Sequence, residues 1–338
     1  MCVFLFMKKF LPYIAIVLSM LIWSVSGIAI KVALVSFSSI SLLVMRFSLA
    51  ILVLLLIGLA FRHNAILALQ RLDKKDIPLF LLAGFFQPCI YYLLETYTYD
   101  ALSSPTIAET LLSTNPVLAP VFAWLILRER VTLYNIAGIL ISTAGMLMLV
   151  LIGTDNFALG NPWGILTAIL AVSTAVLYSV VLRRIPAQYN SLTIVFYVQL
   201  CALFLFYPIW IVQEGLHFPL PTDAALWTAD LWRSVGAMTY LALFSTVSAF
   251  ILFCYSVRQI GVTRGNVFNN VRPVFTALVM LFFFGEHLPF GKIVGGILII
   301  VGLFISQMHT HSLPTSNQTR QPTDSQPTVD ADLTGTLR

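Results

Sequence analysis

The feature that most constrains the fold is a repeat of helix breakers within long apolar runs. Pro116 and Pro273 each interrupt such a run, and a glutamate ends the run 13 residues later. One offset of 157 residues separates the members of four pairs: Pro116 and Pro273, Glu129 and Glu286, Gly138 and Gly295, Gly145 and Gly302. Internal repeats with breakers at matching positions are typical of membrane carriers that bind their substrate near the middle of the bilayer.

Composition identifies the solvent of this chain as lipid. The chain has 338 residues, of which 59% are hydrophobic and only 10% are charged. Soluble domains average about half apolar and about a quarter charged residues. The net charge of +5 therefore reflects the position of basic residues relative to the membrane, and we expect no nucleic-acid partner.

Ten apolar segments are long enough to cross a bilayer, whose core of about 30 Å requires roughly 20 helical residues. They are Leu11–Ile30, Ile40–Ala60, Ile77–Tyr97, Pro105–Leu127, Leu133–Ile152, Trp163–Leu182, Leu192–Val212, Val235–Tyr255, Gly265–Phe284 and Phe290–Met308. Their length favours helices over barrel strands of about 10 residues. We predict an all-α integral membrane protein with ten transmembrane helices.

Basic residues predict the orientation. One set of segment ends holds twelve of them: Lys8, Lys9, Arg62, Arg71, Lys74, Lys75, Arg128, Arg130, Arg183, Arg184, Arg258 and Arg264. The opposite ends hold only Lys31, Arg233 and Lys292. This bias predicts a multi-pass protein of the cell membrane with both termini in the cytoplasm. Because each repeat has five helices, an odd number, the second repeat must be inverted relative to the first.

The predicted domains follow from these segments. Residues 11–152 form the first repeat and residues 161–308 the second. Residues 1–10 form a short cytoplasmic N-terminus, and translation starts at Met1 or Met7. The first apolar run is too long for a signal peptide. Residues 309–338, rich in Ser, Thr, Gln, Asn and Pro, are predicted to be a disordered cytoplasmic tail.

The two repeated prolines are predicted to lie inside helices four and nine. Each removes one backbone hydrogen bond and frees the carbonyl four residues earlier, at Leu112 and Asn269. The break is either a static kink or a hinge at the interface between the repeats. Its presence in both repeats favours the hinge.

Arg272 precedes Pro273 as Asn115 precedes Pro116. An arginine near the centre of the membrane costs about 2.5–3.5 kcal/mol and is normally paired inside the bundle. Its guanidinium either braces the carbonyls that the prolines release or binds a carboxylate of the substrate. We leave both alternatives open.

Three further charges, Arg46, Glu95 and Glu109, are predicted to meet in the outer third of the bundle. They form either an ion-paired network or a site at which one carboxylate binds a proton and couples proton movement to transport. Glu109 is the better functional candidate, because its repeat equivalent is the polar Asn266 and each lies seven residues before its proline.

Four more polar residues are candidates for lining a cavity together with Glu109 and Asn266. Asn269 and Asn270 extend the polar face of helix nine. Tyr91 and Tyr92 lie beside Glu95, where tyrosine rings can hold an ammonium group by cation–π attraction. The alternative is that such tyrosines form an interfacial belt.

The remaining candidates are structural. Glu129 and Glu286 precede helices five and ten, where a carboxylate complements the positive helix N-terminus. The five histidines lie in loops or the tail, and the four cysteines show no metal-type spacing. We therefore expect no catalytic residues, no metal and no cofactor.

The motifs that carry a family resemblance are Arg46-Phe47, the segment NPVLAPVFAWLILRE over 115–129, and RPVFTALVMLFFFGE over 272–286. With them the chain resembles the EamA family of the drug/metabolite transporter superfamily. The resemblance implies a ten-helix carrier that exports an amino acid or a related small amphiphile by alternating access. Its partners are then the substrate, the bilayer and protons as a candidate coupling ion, with a homodimer left open. The alternatives are a membrane enzyme, or a lipid-handling or sensor protein on the same scaffold.

Overall fold

The structure is a computed structural model that describes residues 2–64, 68–102, 108, 111–128, 131–152, 161–215, 228–284 and 289–308. All regular secondary structure in these residues is helical. The predicted tail over 309–338 lies outside the described residues.

Thirteen α-helices are described, and several adjoin short segments of other helical types. The α-helices are α1 (Cys2–Ala33), α2 (Ser39–Ala60), α3 (Ile77–Gly84), α4 (Tyr91–Ala101), α5 (Asn115–Phe122), α6 (Leu133–Leu151), α7 (Pro162–Arg184), α8 (Ser191–Glu214), α9 (Ala229–Tyr240), α10 (Ala249–Ile260), α11 (Val262–Val267), α12 (Arg272–Phe284) and α13 (Phe290–Gln307). π-helical segments occupy Phe85–Ile90, Ala123–Leu127 and Leu241–Ser248, and a 3₁₀ segment occupies Phe268–Val271.

Six described helical stretches are long and apolar enough to cross a membrane: Phe10–Ile30, Ser39–Ala60, Ile77–Thr98, Pro162–Arg184, Ser191–Glu214 and Ala229–Ile260. Shorter apolar helices cover Asn115–Leu127, Leu133–Met148 and Phe290–Ser306. Large apolar side chains cover their outer faces, for example Leu133 at 82% exposure and Val212 at 86%. The described part of the chain is all-helical, and its apolar helices are those of a multi-pass membrane protein.

The first helix begins earlier than predicted, at Cys2 instead of Leu11. No glycine or proline lies between these two positions, so nothing in the sequence stops the helix. Polar caps mark other helix starts. The Ser38 side chain accepts a hydrogen bond from the Ser41 amide, and Asn190 caps α8 through the Thr193 amide.

The repeated prolines begin new helices and do not kink continuous ones. Pro116 is the second residue of α5, which follows a turn at 113–114. Pro273 is the second residue of α12, which follows the 3₁₀ segment. A proline is well tolerated in the first turn, because its missing N–H would have no partner there. Both breaks occur at the predicted places, with a different local geometry.

The repeated glycines bring α6 and α13 into backbone contact. A Cβ atom added at Gly138 would lie 2.5 Å from the Gly302 carbonyl oxygen, and one added at Gly302 would lie 2.6 Å from the Gly138 oxygen. A Cβ atom at Gly145 would lie 2.6 Å from the Gly295 oxygen. Small residues allow such close approach between membrane helices. The two contacts are equivalent by the repeat, because the offset of 157 residues converts the contact of Gly138 with Gly302 into that of Gly295 with Gly145.

Candidate functional site

Eight of the ten predicted substrate or coupling residues line one cavity inside the helical bundle. These eight are Arg46, Tyr91, Tyr92, Glu95, Asn115, Asn266, Asn269 and Arg272. The cavity encloses about 50 Å³, which is room for a few water molecules. Side chains that are far apart in the sequence therefore converge on a single small site.

The cavity lies where helices are interrupted. Gln87 has extended dihedral angles (φ −150°, ψ 118°) within the first π-helical segment, and Ser245 belongs to the third. Asn115 follows the turn before α5, and Asn269 lies in the 3₁₀ segment. All four side chains line the cavity. Irregular backbone at membrane depth is tolerated where it is buried in protein or lines a wet space, so the breaks and the cavity belong together.

Arg46 is held on α2 by hydroxyl groups. Its Nε donates to Thr246 Oγ1 at 2.6 Å, and its Nη2 donates to Ser245 Oγ at 3.1 Å and to the Tyr92 hydroxyl at 3.2 Å. The guanidinium carbon also lies 4.8 Å from the centroid of the Tyr92 ring. The side chain thus joins α2 to α4 and to the π-helical segment of 241–248. No carboxylate of the described residues forms an ion pair with Arg46.

Glu95 projects from α4 and is 9% exposed. The Tyr91 hydroxyl donates a hydrogen bond to its Oε1 at 2.9 Å. The rings of Tyr91 and Tyr92 meet edge to face with centroids 5.3 Å apart. These two tyrosines therefore lie inside the bundle beside the acid, where an ammonium group would find both a carboxylate and aromatic faces.

The asparagines of the second repeat separate into two groups. Asn266 Nδ2 donates to the Val262 carbonyl at 2.9 Å, and Asn269 Nδ2 donates to the Asn266 carbonyl at 3.0 Å. Asn270 instead donates to Ser142 Oγ at 2.8 Å, towards α6 and away from the cavity. The 3₁₀ segment explains this separation, because side chains three residues apart align while the fourth is turned away.

Asn115 and Arg272, the residues before the two repeated prolines, both line the cavity. Each is the first residue of its helix, and each is at least nine-tenths buried. Asn115 Oδ1 is buried without a hydrogen-bond partner among the described residues. Equivalent positions of the two repeats therefore contribute polar groups to the same space.

Comparison with known proteins identifies the family. The sequence profile of the EamA-like transporter family matches residues 10–151 and, a second time, residues 162–308. The chain belongs to the EamA-like transporter family. Its membrane environment and its small-molecule substrate follow from that membership.

Relatives of this EamA protein are named as transporters. An uncharacterized transporter of Archaeoglobus fulgidus is 24% identical over 88% of this chain and 98% of its own length. A probable terminal-alkyne amino-acid exporter of Streptantibioticus cattleyicolor is 25% identical over 88% of this chain and 93% of its own. A solved crystal structure at 18% identity covers 88% of this chain and 96% of that chain with a TM-score of 0.69, which establishes similarity of fold alone. These names point to transport and not to catalysis.

Three predicted residues of this EamA protein, Glu109, Glu129 and Glu286, lie outside the described residues. The proposed coupling role of Glu109 and the capping roles of the other two remain predictions.

An aromatic wall of the cavity was missed from the sequence. Trp23, Phe250 and Phe253 line it, with the Trp23 ring 5.2 Å from each phenylalanine ring. Trp23 Nε1 also donates to the Ser245 carbonyl at 3.1 Å. Aromatic residues are common in apolar runs and do not by themselves indicate a site. In the stretch 241–260, which carries both phenylalanines, the polar Ser245 and Thr246 are the signal that could have indicated one.

A dense polar network joins the helices at one end of the bundle. The Tyr189 hydroxyl donates to Asp76 at 2.8 Å and accepts from the Asp73 amide at 3.0 Å. Arg258 Nη1 donates to the Tyr189 carbonyl at 2.6 Å. The cavity lies nearer the other end, since Arg46 is the eighth residue of the 22 in α2.

Proposed function

We propose that this EamA protein is a secondary carrier that exports a small amphiphilic metabolite, an amino acid or a close relative, by alternating access. The observation that carries the proposal is one buried cavity that combines guanidinium groups, a carboxylate beside tyrosines, and an aromatic wall. The name of the Streptantibioticus cattleyicolor relative supports an amino-acid substrate.

The chemistry of the cavity matches the parts of such a molecule. A guanidinium binds a carboxylate through charge-assisted hydrogen bonds. Glu95 with Tyr91 offers an anionic acceptor for an ammonium group. Trp23, Phe250 and Phe253 offer apolar surface for a side chain. Substrates that lack one of these parts should be carried less well.

We further propose ten transmembrane helices in two inverted five-helix repeats, 11–152 and 161–308, with both termini in the cytoplasm. Two separate matches to the family profile support a repeat. The reciprocal glycine contacts between α6 and α13 are those expected of elements related by a twofold axis. The bias of basic residues supports the orientation.

The proposed cycle alternates which end of the cavity is closed. The network around Tyr189 lies at the end that holds Asp76 and Arg258, and the cavity lies nearer the opposite, outer end. This arrangement supports an outward-facing state in which the cytoplasmic end is shut. The breaks before Pro116 and Pro273 would then act as hinges, and Glu109 as the group that couples proton movement to transport.

The test is flux in liposomes that contain the purified protein. A pH gradient is imposed, and uptake of amino acids, aromatic carboxylates and amines is measured against protein-free liposomes. Gradient-driven movement of at least one amphiphile supports the proposal. A folded, reconstituted protein that moves no member of the panel, with or without a gradient, contradicts it.

A further inference from the structure

Arg46 presents one open edge of its guanidinium to the cavity. Its Nε and Nη2 atoms make hydrogen bonds to Thr246, Ser245 and Tyr92. Nη1 makes no hydrogen bond to any described residue, and this atom keeps some accessible surface. The residue as a whole is only 3% exposed. Because Arg46 lines the cavity and is buried by the bundle, the N–H groups of Nη1 are available to a group bound in the cavity.

Among the described residues, the hydrogen-bond partners of Arg46 are all neutral. Hydroxyls satisfy the geometry of a guanidinium without compensating its charge, and burying a charge is costly unless an opposite charge accompanies it. Serving as a scaffold between α2 and the segment of 241–248 would require only the Nε and Nη2 bonds. An anion at the Nη1 edge would complete the hydrogen bonds of the guanidinium and place an opposite charge in direct contact with it.

The orientation of this edge is fixed from several sides. Thr246 and Ser245 hold the fork in its plane, and the Tyr92 ring lies 4.8 Å below it. Trp23 bonds to the same Ser245 through the backbone carbonyl, so the aromatic wall and the guanidinium share one support. A ligand bound at Nη1 would have apolar rings within reach of its remaining atoms.

We propose that the Nη1 edge of Arg46 is the anion subsite of the carrier, and that it selects substrates in which a carboxylate is attached to an apolar or aromatic group. This inference rests on the proposed transport function and assigns the carboxylate end of the substrate. Ser245, Thr246 and Tyr92 are positioning residues, because their hydroxyl groups accept hydrogen bonds from Arg46 and so orient its guanidinium.

The experiment compares two probes of matched shape, 3-phenylpropionate and 3-phenylpropionamide, by calorimetry on the full chain in detergent. We expect the acid to bind at least about 10-fold more tightly than the amide, as a charge-assisted hydrogen bond predicts. Arg46→Gln should remove most of this ratio, and Arg272, which also lines the cavity, accounts for any preference that remains. Arg233→Gln is the matched control and should leave the ratio unchanged, since Arg233 is exposed and pairs with Asp230 at the surface.

Thr246→Val keeps the charge and removes the acceptor of Nε, so it decides the outcome if Arg46→Gln does not fold. We expect it to lower the acid-to-amide ratio several-fold without abolishing it. Equal binding of both probes to the unmodified protein, binding of neither, or a ratio unchanged in the folded variants would overturn the subsite. Flux of substrates that carry no anionic group would contradict the subsite and leave the carrier function intact. Selective binding of the acid without any flux would do the reverse.

Discussion

Substituting alanine for Gly302 tests the close contact between α6 and α13. The new Cβ atom would lie 2.6 Å from the Gly138 carbonyl oxygen, whereas an ordinary contact begins at 3.4 Å. Ordinary contact with this oxygen therefore requires the helices to separate locally by about 0.8 Å. Overpacking of this kind costs about 1–3 kcal/mol, and alanine returns at most about 1 kcal/mol through its better helix propensity. Because the clash is with backbone atoms, the cost belongs in the upper part of this range, about 2–3 kcal/mol, and the variant should be destabilised by about 1–2 kcal/mol.

Gly236→Ala is the matched control. Gly236 lies inside α9, and a Cβ atom added there would meet nothing within 4 Å. Helix propensity then acts alone, so this substitution should stabilise the protein by up to about 1 kcal/mol. The assay is unfolding of the purified protein by titration with sodium dodecyl sulfate, in which unfolding is monitored by the loss of the helical circular dichroism signal. The two substitutions are chemically identical and should shift the midpoint in opposite directions.

A Gly302→Ala protein as stable as the Gly236→Ala protein would refute the reasoning, since the helices would then be too far apart to touch. The double variant Gly138→Ala with Gly302→Ala adds a further check. Once one Cβ atom has separated the helices, the second meets a smaller clash. The two losses should therefore sum to more than the loss in the double variant, as expected for residues in contact.

Three other predictions concern transport. Glu109→Gln should abolish gradient-driven flux in liposomes and spare exchange, and equal loss of both would favour a structural Glu109. Arg272→Lys should weaken substrate affinity in a binding assay with normal folding, because lysine lacks the rigid fork, and a misfolded protein would favour a bracing role. Tyr189→Phe removes the buried hydrogen bond to Asp76 and should open this end of the bundle. Maleimide labelling of Cys254, which is fully buried in α10, should then rise about 10-fold by mass spectrometry, and an unchanged rate would show that this network does not close the bundle.

The sequence indicates which polar residues face the interior of the bundle, and the reason is the lipid. Arg46, Glu95, Asn115 and Arg272 interrupt apolar runs, and an ionisable or amide side chain at that depth must turn towards the interior of the bundle. Depth along each helix followed from counting at 1.5 Å per residue. Polarity and depth grouped Arg46 with Glu95 from the sequence, and the structure adds Asn115 and Arg272 to the same cavity.

The hydrogen-bond partners of these residues could not be predicted from the sequence. Arg46 bonds to Thr246, 200 positions away, and no local pattern records such a contact. Asn270 was assigned to the cavity because residues 266 and 270 share a face in an α-helix. The 3₁₀ segment advances about 120° per residue and not about 100°, which carries Asn270 round to Ser142.

The helix interruptions differ in whether the sequence marks them. A proline accompanies the breaks at Asn115, before Arg272 and in the first π-helical segment, which contains Pro88. The segment of 241–248 contains neither proline nor glycine. Two hydrogen bonds to Ser245 stabilise this break, which no proline or glycine indicates. Arg46 donates to the Ser245 side chain, and Trp23 donates to the Ser245 backbone carbonyl. A widened turn exposes backbone groups that lipid cannot satisfy, so it persists only where neighbouring helices supply donors. Loss of Arg46 would therefore remove more than a charge from the cavity, because it would also remove a donor that stabilises the wall opposite α2.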